Sequence, residues 1–97
     1  MAYEIIWLPK AEQRYDEIIA WLRKNWTDKE IAKFVSRTEE VLASISTHPE
    51  IYKRSEKRNV RQALITSHNL LLYRKKTNKI ELITFFDMRQ NPSKKFK

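Results

Sequence analysis

Glycine occurs nowhere in the 97 residues, and neither does cysteine. Without glycine the chain cannot build a glycine-rich phosphate loop or a dinucleotide fingerprint. Its tight turns must instead use residues that tolerate unusual backbone angles or form side-chain turns, mainly Asn, Asp and Ser. Ser67-His68-Asn69 and Thr77-Asn78 are where such residues cluster. Without cysteine there are no disulfides and no thiolate metal sites, which suits a reducing cytoplasm. No apolar run approaches the roughly 20 residues of a membrane span, and the first residues show no signal-peptide pattern. The expected protein is soluble and cytoplasmic, makes no membrane contact, and forms one domain over residues 1–97, near the lower end of what folds alone.

Positive charge is plentiful and unevenly placed. Residues 1–48 hold seven Lys/Arg and eight Asp/Glu; residues 49–97 hold thirteen and four. The whole excess of +8 therefore lies in the second half. Such segregation favours an acidic partner, whether nucleic acid, an anionic membrane or an acidic protein segment, over charge that serves only solubility.

Hydrophobic periodicity orders the chain. Tyr3 to Leu8 is mainly apolar on both faces and reads as a strand. Pro9 suits the first turn of a helix, and Ala11, Tyr15, Ile18 and Leu22 place an apolar stripe along residues 9–25. Thr27-Asp28-Lys29-Glu30 fits a capping box and starts a second helix over 28–46, with Ile31, Phe34, Val35, Thr38, Val41, Leu42 and Ile45 inward. Thr47-His48-Pro49 stops it. After a charged connection from Lys53 to Asn59, three strands follow at 60–66, 69–75 and 79–86. The order β-α-α-β-β-β predicts an α+β domain, with an antiparallel helix hairpin packed on one face of an antiparallel sheet. The opposite face should be partly open and bordered by the cations of the second half.

Familiar catalytic arrangements are missing. His48 and His68 lack ligand spacing, no Ser sits in a nucleophile motif, and no cofactor is indicated. Asp16-Glu17 and Glu39-Glu40 diverge by about 100° on their helices, which makes them solvated faces rather than acid/base pairs. The cations that remain are Lys53, Arg54, Lys57, Arg58, Arg61, Arg74, Lys75 and Arg89. An arginine fork can bond both oxygens of a phosphate or carboxylate, to stabilise charge on a scissile phosphate or to hold an acidic partner. With no acid/base group beside them, binding is the stronger reading. Asp87 is placed to pair with Arg89. Phe85 and Phe86 point to opposite faces, one for the core and one to border the open face.

The chain resembles the RelE/ParE superfamily, the toxin half of type II toxin–antitoxin pairs. The resemblance rests on Trp7-Leu8-Pro9-Lys10-Ala11, Ile18-Ile19-Ala20-Trp21-Leu22, Ala32 to Leu42, His48-Pro49-Glu50, Leu70-Leu71-Leu72-Tyr73-Arg74, and Ile80 through Phe85-Phe86-Asp87-Met88-Arg89-Gln90-Asn91-Pro92. It implies a growth-inhibiting toxin in a hetero-oligomer with a cognate antitoxin that wraps a segment over the groove. It also implies one of two targets: DNA gyrase, inhibited without nuclease action as by ParE-like toxins, or messenger RNA, cut on the ribosome as by RelE-like toxins. For the nuclease, Arg89 matches the arginine after the last strand, and Lys53 and Arg54 lie where catalytic lysines are drawn from, with Arg61 as a further candidate. The strand arginine of those enzymes falls at Ile65, however. Where a Tyr or His is expected near the C-terminus stands Phe96, which cannot exchange a proton. The gyrase-directed mode is therefore favoured. In either mode the surface for target or antitoxin is expected to include Lys53, Arg54, Arg58, Arg61, Arg74, Phe85, Asp87 and Arg89. A non-toxic nucleic-acid-binding or regulatory module is the third reading.

Overall fold

The computed structural model describes residues 2–56 and 59–88, as β1 (Glu4–Trp7), α1 (Pro9–Asn25), α2 (Asp28–Thr47), β2 (Arg61–Thr66), β3 (Asn69–Lys75) and β4 (Lys79–Asp87). Pro9 opens α1, where its missing N–H leaves no bond unmade. Glu12 in the first turn and Arg23 and Lys24 in the last complement the helix dipole. Thr27 begins α2, but not as the capping box predicts: its side chain makes no cap hydrogen bond, and its carbonyl accepts from Glu30 and Ile31 N–H instead. Inside α2 the buried Thr38 hydroxyl donates to Phe34 O at 2.8 Å, so its polar atom is satisfied within the helix.

The sheet runs β1-β4-β3-β2. The expected antiparallel pairing holds for β2–β3 and β3–β4, whereas β1 lies parallel to β4, which makes the sheet mixed. α1 packs on β4 and α2 on β2, both over one face. Between them lies a core of Ala11, Ile18, Leu22, Phe34, Val41 and Ile45 from the helices and Ala63, Leu71, Tyr73, Ile80, Leu82 and Phe85 from the strands.

A bulge decides which phenylalanine joins that core. Leu72 pairs with Thr84 and Tyr73 with Leu82, leaving Ile83 unpaired. The extra residue resets the alternation, so Ile80 and Leu82 are followed on the helix side by Phe85. Its ring is 5.6 Å from Trp7, 5.4 Å from Tyr15 and 6.4 Å from Phe34, centroid to centroid. Phe86 takes the opposite face.

The turns manage without glycine in two ways. Among the described residues only Asn59 has a positive φ, 60°, in the connection before β2. This is the left-handed region that Asn tolerates better than most side chains. Between β2 and β3 the Thr66 hydroxyl accepts the His68 N–H and donates to Asn69 Oδ1 at 2.6 Å, a side-chain turn that needs no left-handed residue.

Candidate functional site

With both helices on one face, the residues of β2–β4 that alternate with the core point to the other. Gln62, Leu64, Leu70, Leu72, Phe86 and Met88 form the floor of a groove of about 1180 Å³. One wall is the segment from Ile51 to Glu56, and Arg37 of α2 stands at its margin. A second cleft, of about 210 Å³, lies between Trp26 and the β2–β3 turn and is too small for more than a side chain. The larger groove has an aliphatic and aromatic floor and a rim of Arg37, Lys53 and Arg54, and among the described residues its lining holds a single acid, Glu56. That combination suits a segment offering apolar side chains inward and acidic ones at the edge.

The wall is a strap tied to the sheet at successive carbonyls. Tyr73 donates its hydroxyl to Pro49 O at 2.7 Å. Arg61 Nη1 donates to Tyr52 O at 2.8 Å, and the Gln62 N–H donates to Lys53 O at 3.1 Å. Ser55 N–H then donates to Val60 O at 2.8 Å, and Arg54 bridges to Arg61. The anchoring groups all bond backbone, which leaves the side chains of Ile51, Lys53 and Arg54 exposed, Ile51 at 58%.

The fully buried Tyr73 has its phenol pKa pushed up to about 12, chiefly by burial, with the charge of Arg61 and a Tyr52 backbone hydrogen bond acting the other way. The folded chain thus holds this proton more tightly than the unfolded chain, whose tyrosines ionise near 10. The contribution of Tyr73 to stability should be complete below pH about 10 and lost as pH rises through about 12. Alkaline unfolding curves should show that fall in the wild type, and it should be diminished in Tyr73→Phe.

The candidate residues separate. Lys53 and Arg54 do line the groove. Arg61 does not: its register partner is Tyr73, which puts it on the helix-side face with its guanidinium engaged by Tyr52 O. Arg74 borders the open face beyond Leu72, but its Nε donates to Glu81 Oε1 at 2.8 Å, a bond that lowers the carboxyl's pKa. Phe85 is 1% exposed in the core and cannot line a surface. Asp87 is buried opposite Asn69, again toward the helices. Arg58 and Arg89, the Asp87–Arg89 pairing and Phe96 fall outside the described residues. Among those described, no three His, Asp or Glu residues form a group able to hold a metal, and no helix is long and apolar enough to cross a membrane.

Arg37 escaped the sequence reading because it belongs to the charge-balanced half. It comes three residues after buried Phe34 and four before buried Val41, at the edge of the apolar stripe. From there its Nε donates to Ile65 O at 3.0 Å, and Nη1 pairs with Glu40 at 3.2 Å. That flanking position was the available signal.

A sequence profile described as the ParE toxin of the type II toxin–antitoxin system parDE matches residues 5–92. Among solved structures, the chain is similar to the chromosomal ParDE system from P. aeruginosa, with a TM-score of 0.73 and 18% identity over 89% of this chain and 96% of that one. It is also similar to the YoeB dimer from Staphylococcus aureus, with a TM-score of 0.62 and 21% identity over 87% and 94% of the two chains. The toxin–antitoxin complex RelBE2 from Mycobacterium tuberculosis gives a TM-score of 0.63 and 13% identity over 90% and 99%. At these identities the structural likeness establishes the fold. No curated protein sequence matches the chain.

Proposed function

The chain belongs to the ParE toxin family of type II toxin–antitoxin systems, and from that premise we propose that it arrests growth by a non-nucleolytic action on DNA gyrase and is held inactive by an acidic antitoxin segment laid in the groove. The observation that carries this reading is the make-up of the open face. Its floor is apolar from Leu64 to Met88, and two strand arginines that a nuclease could use, Arg61 and Arg74, are engaged by Tyr52 O and Glu81. Metal-free phosphoryl chemistry needs free cations around the scissile phosphate and a group that exchanges a proton. A protein-binding groove needs an apolar centre and a charged rim. Lys53, Arg54 and Arg37 supply the rim.

Inducing the chain alone should stop growth, and co-expressing the small reading frame beside its gene should restore growth and yield a stable hetero-oligomer. Continued growth together with no complex would remove the proposal. The second reading, a ribosome-dependent mRNA endonuclease, draws on the free exposure of Lys53 and Arg54 at the groove. Cleavage of message in a purified translation system, lost on Arg89→Ala, would establish it in place of the first.

A further inference from the structure

We propose that Arg61 and Tyr73 are positioning residues: they hold the 49–55 strap against the sheet and thereby aim Ile51, Lys53 and Arg54 into the groove without meeting a partner themselves. The inference rests on the reading of the groove as the antitoxin surface. Between the end of α2 at Thr47 and the start of β2 at Arg61, the described residues 48–56 and 59–60 belong to no helix or named strand. Besides the Arg54–Arg61 bridge, the Ser55 N–H bond to Val60 O and the packing of Tyr52 on the core, the strap is tied at the carbonyls of Pro49, Tyr52 and Lys53, and two of those three take their hydrogen bonds from side chains of the sheet. Tyr73 and Arg61 are cross-strand partners, so the two tethers spring from one point of the β2–β3 ladder.

The chemistry of each tether is strong. The guanidinium gives a charge-assisted bond to a carbonyl, and the Tyr73 hydroxyl is buried, where an unmade hydrogen bond is costly. Two side chains that touch no ligand thus set the separation between the wall and the Leu64–Leu72 floor. Arg61 tunes recognition through the residues it holds.

The test has two readouts on the full-length chain. The first is amide hydrogen exchange in the free protein. Arg61→Met keeps the apolar stem but removes the donor. It should speed exchange at Ile51, Ser55 and Gln62 by about tenfold, the size of one charge-assisted hydrogen bond, while Leu71 and Leu82 keep their protection. Arg61→Lys, which retains a donor, should restore most of the protection, and Tyr73→Phe should loosen the Pro49 end. Unchanged strap exchange in Arg61→Met, or loss of protection spread evenly through the core, would overturn the inference.

The second readout is binding of the antitoxin encoded by the neighbouring reading frame, measured against salt. Arg61→Met should weaken binding about tenfold and flatten its salt dependence to that of a Lys53→Gln/Arg54→Gln double variant. Added to a triple variant that also carries Ile51→Ala, it should cost less than about twofold, because the groups it positions are gone. Fully additive losses would contradict a positioning role. A wild type that does not bind this antitoxin would overturn the groove reading and the recognition role built on it, and the exchange readout alone would then decide whether the tether exists.

Discussion

Replacing Phe85 with alanine should destabilise the fold by about 3–5 kcal/mol, the usual range for emptying a buried phenylalanine site. The ring is 1% exposed, and its neighbours Trp7, Tyr15 and Phe34 come from β1, α1 and α2. Rings from all three elements converge on this one side chain of β4, so no single shift can close the cavity. For a chain of this length the total stability is on the order of 5–15 kcal/mol, so the variant should be partly unfolded near body temperature. Urea unfolding should show a lower midpoint with an unchanged slope. Phe86→Ala, on the groove face, should cost markedly less. Equal losses for the two would mean that the bulge at Ile83 does not choose between them.

Leu64→Asp should do the reverse, sparing the fold and damaging recognition. Leu64 is 50% exposed in the middle of the groove floor, so the core loses little. The change removes an apolar anchor and sets a carboxylate where an acidic segment is expected. A central anchor of this kind is worth at least about 2 kcal/mol, so antitoxin affinity should fall about 30-fold or more. Titration calorimetry on matched preparations, with unfolding curves beside it, checks both halves. Undiminished affinity would place the antitoxin elsewhere.

Local pattern made the elements legible. The 3.6-residue stripes and the Pro9 and Pro49 punctuation marked both helices, and alternating branched and aromatic runs marked β2 to β4 within a residue or two. The parallel entry of β1 beside β4 was not legible, because partners some 75 residues apart leave no turn or register signal in either segment. The bulge was equally silent: Ile83 looks like any strand residue, and one unpaired position turned Phe85 inward. The charge excess pointed to the half of the chain that supplies most of the groove lining but could not say which cations stay exposed there. Arg61 faces the helices because it is opposite Tyr73, and Arg74 meets Glu81 across the β3–β4 pair. Only pairing sorts tether from rim, and pairing is a property of the folded sheet. Lys53 and Arg54 remain on the groove because the strap is held through its backbone.

The most direct measurement is gyrase supercoiling beside ribosome-stimulated mRNA cleavage, from one preparation of the full-length chain, with and without its antitoxin. The account predicts inhibited supercoiling that the antitoxin relieves, and intact message whether or not ribosomes are present. Unimpaired supercoiling with ribosome-dependent cleavage would contradict it.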